Sequence, residues 1–244
     1  MRALITGLLC GLAVLAGPPS AAIAETKDFF VLALSWQPAF CEGLPGKVEC
    51  RSQTEASFEA GHFALHGLWP QPRRRVFCNV DKALADADDN HHWTDLPAPA
   101  LSPATRAALD QVMPGTQSLL ERHEWIKHGS CYPGGDAEIY FKDAIRLTAA
   151  VNGSAVQSFV AANIGKTITS AEIRASFDEA FGAGVGDRVR IACKDDGNRR
   201  LIVEITLGLR GDISAETPMA ELLAASSPTD AGCPAGVIDP VGLQ

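Results

Sequence analysis

The period of the hydrophobic and polar positions changes several times along the chain, and each change marks an element. The run Asp28-Phe29-Phe30-Val31-Leu32-Ala33-Leu34-Ser35-Trp36 is apolar and aromatic almost without interruption and stops at Pro38, which predicts a buried strand. His62-Phe63-Ala64-Leu65-His66, up to Gly67, predicts a second. Towards the end Val189, Ile191 and Cys193 alternate with Arg190 and Ala192. After Asp195-Asp196-Gly197-Asn198, Leu201, Val203, Ile205, Leu207 and Leu209 alternate in turn, the pattern of a hairpin. The middle of the chain reads as helical. Ser102-Pro103 opens a helix that Met113-Pro114-Gly115 ends, and Thr116 or Ser118 opens one that runs through Leu119, Leu120 and Trp125 towards Gly129. Asp136 caps a helix ending near Gly153, Ser154 one ending near Gly165, and Thr169 with Glu172 forms a capping box for one ending near Gly182. The acidic stretch from Asp81 to Asn90 reads as a solvated loop. Strands near both ends around a helical middle predict an α+β fold, an antiparallel sheet packed against several helices.

Residues 1–24 follow a different pattern. Arg2 is their only charge, Ala3 to Ala16 is nearly all apolar, Gly17-Pro18-Pro19-Ser20 breaks the run, and Ala22-Ile23-Ala24 offers the small side chains that a signal peptidase accepts. The apolar core is too short for a stable span, so residues 1–24 are expected to be a signal peptide and 25–244 one domain of moderate size. A lipid anchor on Cys10 is disfavoured, because few apolar residues precede it. Removal of the leader leaves Cys41, Cys50, Cys78, Cys131, Cys193 and Cys233, an even number in an exported chain, which favours three disulfides among 15 possible pairings. No second apolar run approaches the length of a span, so the expected product is periplasmic or secreted and without a membrane anchor, and it is taken as a monomer by default. The formal charge is −8, and loss of Arg2 makes it one unit more negative. Long-range attraction of a polyanion is thereby excluded as the main binding force, and any nucleic-acid contact must be local.

Four of the six histidines fall in two groups, His62 and His66 near Trp69, and His123 and His128 in His123-Glu124-Trp125-Ile126-Lys127-His128-Gly129. A helical zinc pair sits four residues apart, whereas His123 and His128 are five apart, about 140° around a helix, with Lys127 beside them. That spacing argues against a metal. An arc bearing two imidazoles, an ammonium and the Glu124 carboxylate suits an anionic transition state instead, and a second imidazole from another segment, His66, completes an acid and base pair. His62 is expected to be an ordinary strand residue, His91-His92-Trp93 to lie on the surface, and Trp125 to belong to the core. Arg73-Arg74-Arg75 fits a local phosphate-binding patch and a solvated loop about equally well.

The segments Phe63-Ala64-Leu65-His66-Gly67-Leu68-Trp69-Pro70 and His123-Glu124-Trp125-Ile126-Lys127-His128-Gly129-Ser130-Cys131 resemble, in that order, the two active-site segments of the ribonuclease T2 family. Leu34-Ser35-Trp36-Gln37-Pro38-Ala39-Phe40-Cys41 is similar to the family's first strand and loop, and the hairpin from Ile191 to Leu209 with Cys193 to its last strands. The likeness is closest to the bacterial periplasmic members. It implies a ribonuclease T2-like α+β fold and an endoribonuclease of low base specificity that needs neither metal nor cofactor. Its substrate would be single-stranded RNA, cleaved through a 2′,3′-cyclic phosphate to a 3′-phosphate, and DNA would be inert for want of a 2′-hydroxyl. The roles it implies are general base for His128, general acid for His66, a phosphate contact for His123, support of the phosphorane by Lys127 and Glu124, and base stacking on Trp69. It also implies the pairs Cys41–Cys50, Cys78–Cys131 and Cys193–Cys233. The rival from another class is a catalytically idle homologue that binds RNA or a protein, against which the intact His66, Glu124, Lys127 and His128 argue.

Overall fold

The computed structural model describes residues 29–213 and 217–244, so the expected signal peptide lies outside the described residues. Six strands form one sheet: β1 (Phe29–Ser35), β2 (Ala64–Pro70), β3 (Thr167–Thr169), β4 (Val189–Asp196), β5 (Arg199–Arg210) and β6 (Ala235–Val237). The helices are α1 (Gln37–Gly43), α2 (Val48–Arg51), α3 (Lys82–Asp89), α4 (Pro103–Val112), α5 (Leu120–Lys127), α6 (Ala137–Asn152), α7 (Ala155–Ala161), α8 (Ser170–Phe181) and α9 (Met219–Ala224). None of them is long and apolar enough to cross a membrane. The sheet order is β2-β1-β5-β6-β3, with β4 on β5. All pairs are antiparallel except β5 with β6, which meet in parallel at Leu201 and Val237.

Four of the helix signals operate as side-chain caps, whereas neither Thr116 nor Ser118 caps α5, whose N-cap is Leu119. Ser102 accepts a hydrogen bond from the Thr105 amide, Asp136 from those of Glu138 and Ile139, and Ser154 from that of Val156. Thr169 and Glu172 form the reciprocal box at the start of α8. The buried side chains of α6, Tyr140, Phe141, Ala144, Leu147, Thr148 and Val151, recur every three or four residues and face the sheet residues Phe30, Leu32, Leu34, Leu65 and Leu68 in one core. Trp36 is fully buried, edge-on to Phe63, and donates from its indole to the carbonyl of Asp239, 2.7 Å away.

Three differences from the sequence reading bear on the site. The stretch expected to be a loop between Asp81 and Asn90 is mostly the helix α3. Its buried side chain is Asp88, a carboxylate, so no apolar stripe announces it. The second difference is a bulge in β2: Ala33 pairs with Gly67 and Leu34 with Leu65, leaving His66 as the extra residue. The third is a bulge in β5, where Ala192 pairs with Glu204 and Cys193 with Ile202, so that Val203 turns half outwards and Ile202 takes its place in the core.

Candidate active site

In a regular strand His66 and Trp69, three apart, would face opposite sides of the sheet. The bulge at His66 puts them on the same side, with ring centroids 5.3 Å apart. Gly67 lies between them because nothing larger fits: a Cβ there would overlap the carboxylate of Glu124 and the indole of Trp69. Opposite stands α5. Its chain enters through Leu119, held at φ 67°, a left-handed conformation that costs a residue with a Cβ about 1–3 kcal/mol.

Glu124 is the centre of the arrangement. It is fully buried, and its Oε2 accepts from the Trp69 indole at 2.9 Å. Its Oε1 has no hydrogen-bond partner among the described residues and lies 3.7 Å from Nε2 of His66 and 3.8 Å from Nε2 of His123. Burial pushes this carboxyl above the ordinary range, and the neighbouring imidazoles and the Trp69 hydrogen bond oppose that rise. His128 follows the last residue of α5 and caps it at φ −110°, ψ −50°. Its ring stands perpendicular to that of His123 at 6.1 Å and tilted to that of Trp69 at 5.5 Å. Burial, with the nearby charges of His123, Lys127 and His66, pushes its pKa down to about 3, so the imidazole is held in its neutral form. His66 shifts the other way. Burial disfavours its charge, but the hydrogen bond to Glu204 and the charges of Glu124 and Glu204 outweigh it, so its pKa rises above 6.5.

His66, Trp69, His123, Glu124, Lys127 and His128, the six residues singled out by sequence, line one cleft of about 300 Å³, together with Gln71, Arg73 and Val76. His66 also lines a larger cavity of about 870 Å³ on its other side, with Phe40, Lys47, Glu49 and Trp93. The reasoning from helical spacing against a shared dication does not hold in three dimensions. His128 has left the helix, and His123, Glu124 and His128 bring one possible ligand atom each to within 4.8 Å of one another.

Three contributors were not legible as site residues. Asp88 of α3 lies 2.7 Å from Nδ1 of His123 and 3.9 Å from Nζ of Lys127. Glu204 of β5 lies 2.6 Å from Nδ1 of His66. Trp93 stacks on His123 at 4.8 Å and 23°, while His91 and His92 are exposed. The available signal for Glu204 was its place as the one acidic residue of β5, between Ile202-Val203 and Ile205-Thr206, since strands are poor in Glu. Asp88, one of several acids in its stretch, had none. His62 stands apart from the cleft, stacked on Phe58 with its Nδ1 2.9 Å from that residue's carbonyl. Trp125 packs partly buried against the core and Tyr140. The disulfides Cys41–Cys50, Cys78–Cys131 and Cys193–Cys233 are formed. The middle one fastens the loop after β2 to the turn that follows His128.

The sequence profile of the Ribonuclease T2 family matches residues 27–220. The chain is also 33% identical over 207 residues to Ribonuclease I of Escherichia coli, covering 76% of each protein. It belongs to the ribonuclease T2 family. Further relatives include the Extracellular ribonuclease LE of Solanum lycopersicum, 26% identical over 136 residues and 51% of each chain. Among solved structures, the S3-RNase of Japanese pear superposes with a TM-score of 0.56 at 21% identity, over 86% of this chain and 98% of that one, a likeness of fold. This member of the T2 family is accordingly an RNA-cleaving enzyme, an endoribonuclease.

Proposed function

We propose that residues 1–24 direct export to the periplasm or beyond, and that residues 25–244 form a single, monomeric domain that cleaves single-stranded RNA by internal transesterification. Neutral His128 takes the proton of the 2′-hydroxyl as that oxygen attacks the adjacent phosphorus. Protonated His66 gives its Nε2 proton to the departing 5′-oxygen, and a 2′,3′-cyclic phosphate results. In the second step water opens the ring to a 3′-phosphate with the two roles exchanged. His123 and Lys127 meet the charge on the non-bridging oxygens, and Glu124 orients the groups around it. A base rests on Trp69, which accepts any base through its π face, so cleavage has low base specificity. No step calls on a metal or cofactor.

The observation that carries this reading is the meeting of two imidazoles from separate elements in one cleft, His66 of β2 and His128 at the end of α5, each within 5.5 Å of the Trp69 ring; the upward shift of His66 and the downward shift of His128 agree with an acid and a base. The test is incubation of the purified protein with RNA and with single-stranded DNA, each with and without EDTA, with products resolved by ³¹P NMR. The expected result is cleavage of RNA alone, insensitive to EDTA, with a cyclic phosphate signal that precedes the 3′-phosphate. Loss of cleavage with EDTA would instead assign a dication to the triangle of His123, Glu124 and His128, and binding without cleavage would make the protein an idle homologue.

A further inference from the structure

His66 has a partner that lies outside both active-site segments. Its Nδ1 is 2.6 Å from Oε2 of Glu204, a charge-assisted hydrogen bond between residues 138 apart in sequence. The strands that carry them are not neighbours, since β1 runs between β2 and β5. Two features of the sheet make the meeting possible. The residues of β1 on this face, Ala33 and Ser35, are small, and Glu204 pairs directly with Ser35. β2 also has a bulge at the point of approach, with His66 as its extra residue, whereas Glu204 stays in regular register with Ser35. A bulge re-aims a side chain, and this one turns the His66 ring towards Glu204.

We propose that Glu204 is the positioning residue of the acid step: it accepts from Nδ1–H of His66, so that the transferable proton stands on Nε2, facing the cleft. The proposal rests on the reading of His66 as the general acid. Of the groups that face His66, Glu124 approaches Nε2 from α5 at 3.7 Å, beyond hydrogen-bond distance, and His123, Lys127, His128 and Arg73 line the same cleft. On the other side, Lys47, Glu49 and His91 line the larger cavity. Lys47 is engaged there by Glu49 at 3.5 Å and Ser118 at 3.3 Å. Glu204 is therefore the one carboxylate among the described residues within hydrogen-bond reach of the ring. When Nε2–H passes to the 5′-oxygen, the neutral ring keeps its Nδ1–H on Glu204, and the tautomer left behind has a lone pair on Nε2, ready for the hydrolytic step.

The test compares Glu204→Gln with the unaltered protein on two substrates, a dinucleoside monophosphate and a nucleoside 3′-(p-nitrophenyl phosphate), whose phenolate departs without help from an acid. The expected result is a fall in kcat of about tenfold or more on the first substrate, with little change on the second. The alkaline limb of the pH profile should also move to lower pH. Equal losses on both substrates with an unmoved limb, or no loss on either, would overturn the proposal. Should Glu204→Gln fold poorly, NMR titration of the His66 ring in Glu204→Asp supplies the reading. A pKa below that in the unaltered protein is expected, and an unchanged one would contradict the assignment. Assay of His66→Ala on the same pair of substrates separates the two claims: equal losses there remove the acid role of His66 itself, whatever Glu204 does.

Discussion

At the scale of single residues the site depends on close approach. Gly67 lets the carboxylate of Glu124 come against the backbone of β2, where it binds the Trp69 indole and faces His66. Gly67→Ala should lower kcat/KM on RNA on the order of a hundredfold, because its methyl displaces Glu124 and Trp69 together. Steady-state kinetics beside a thermal melt would check this, and a near-normal rate in a folded variant would contradict it. The motif residues were legible because a tight cluster of polar chemistry allows few residue types at each place. Their helpers were not. Glu204 comes from a strand that meets β2 only across β1, and nothing in its neighbours along the chain points to His66.

At the scale of elements, the strands and caps of the core were readable because burial and capping leave periodic marks, as in the Asp136 cap of α6 and the Thr169 box of α8. The helix α3 was not, because the face it buries carries Asp88 in place of an apolar residue. The two bulges were also hidden, since a single extra residue does not disturb composition. In β5 the extra residue exchanged the expected core role of Val203 for that of Ile202. α3 brings a buried carboxylate to Nδ1 of His123 and near Lys127. Asp88→Asn preserves volume and removes the charge, so it should raise KM for RNA about tenfold with a smaller change in kcat, because in the proposed mechanism His123 and Lys127 meet the phosphate. An unchanged KM would remove α3 from the account of substrate binding.

At the scale of the whole molecule, a chain of net charge −8 must bind a polyanion through a local surface. Arg73, Arg74 and Arg75 are exposed on the loop that leaves the cleft, and Arg73 lines the cleft itself. Arg74→Ala, outside the cleft lining, should lower kcat/KM on long RNA and flatten its dependence on salt, while leaving a dinucleotide almost unaffected. An equal effect on both lengths would contradict a backbone-binding role. The Cys78–Cys131 bond fixes that loop to the turn after His128, and its closed loop of 53 residues is worth about 4 kcal/mol in the chain-entropy model. Reduction should therefore lower the Tm by several degrees and lower activity below the melt as well; an unchanged Tm in reductant would refute the stapling role.

In the proposed mechanism two imidazoles flank one phosphodiester, with His128 as acceptor and His66 as donor of a proton. The most direct measurement is the rate of His66→Ala and His128→Ala on RNA and on the p-nitrophenyl ester. Both variants should lose nearly all activity on RNA. On the ester His66→Ala should recover most of the normal rate, since the phenolate needs no proton, while His128→Ala should remain inactive. Recovery in His128→Ala instead would exchange the two roles, and comparable rates for both variants on RNA and in the unaltered enzyme would contradict the account altogether.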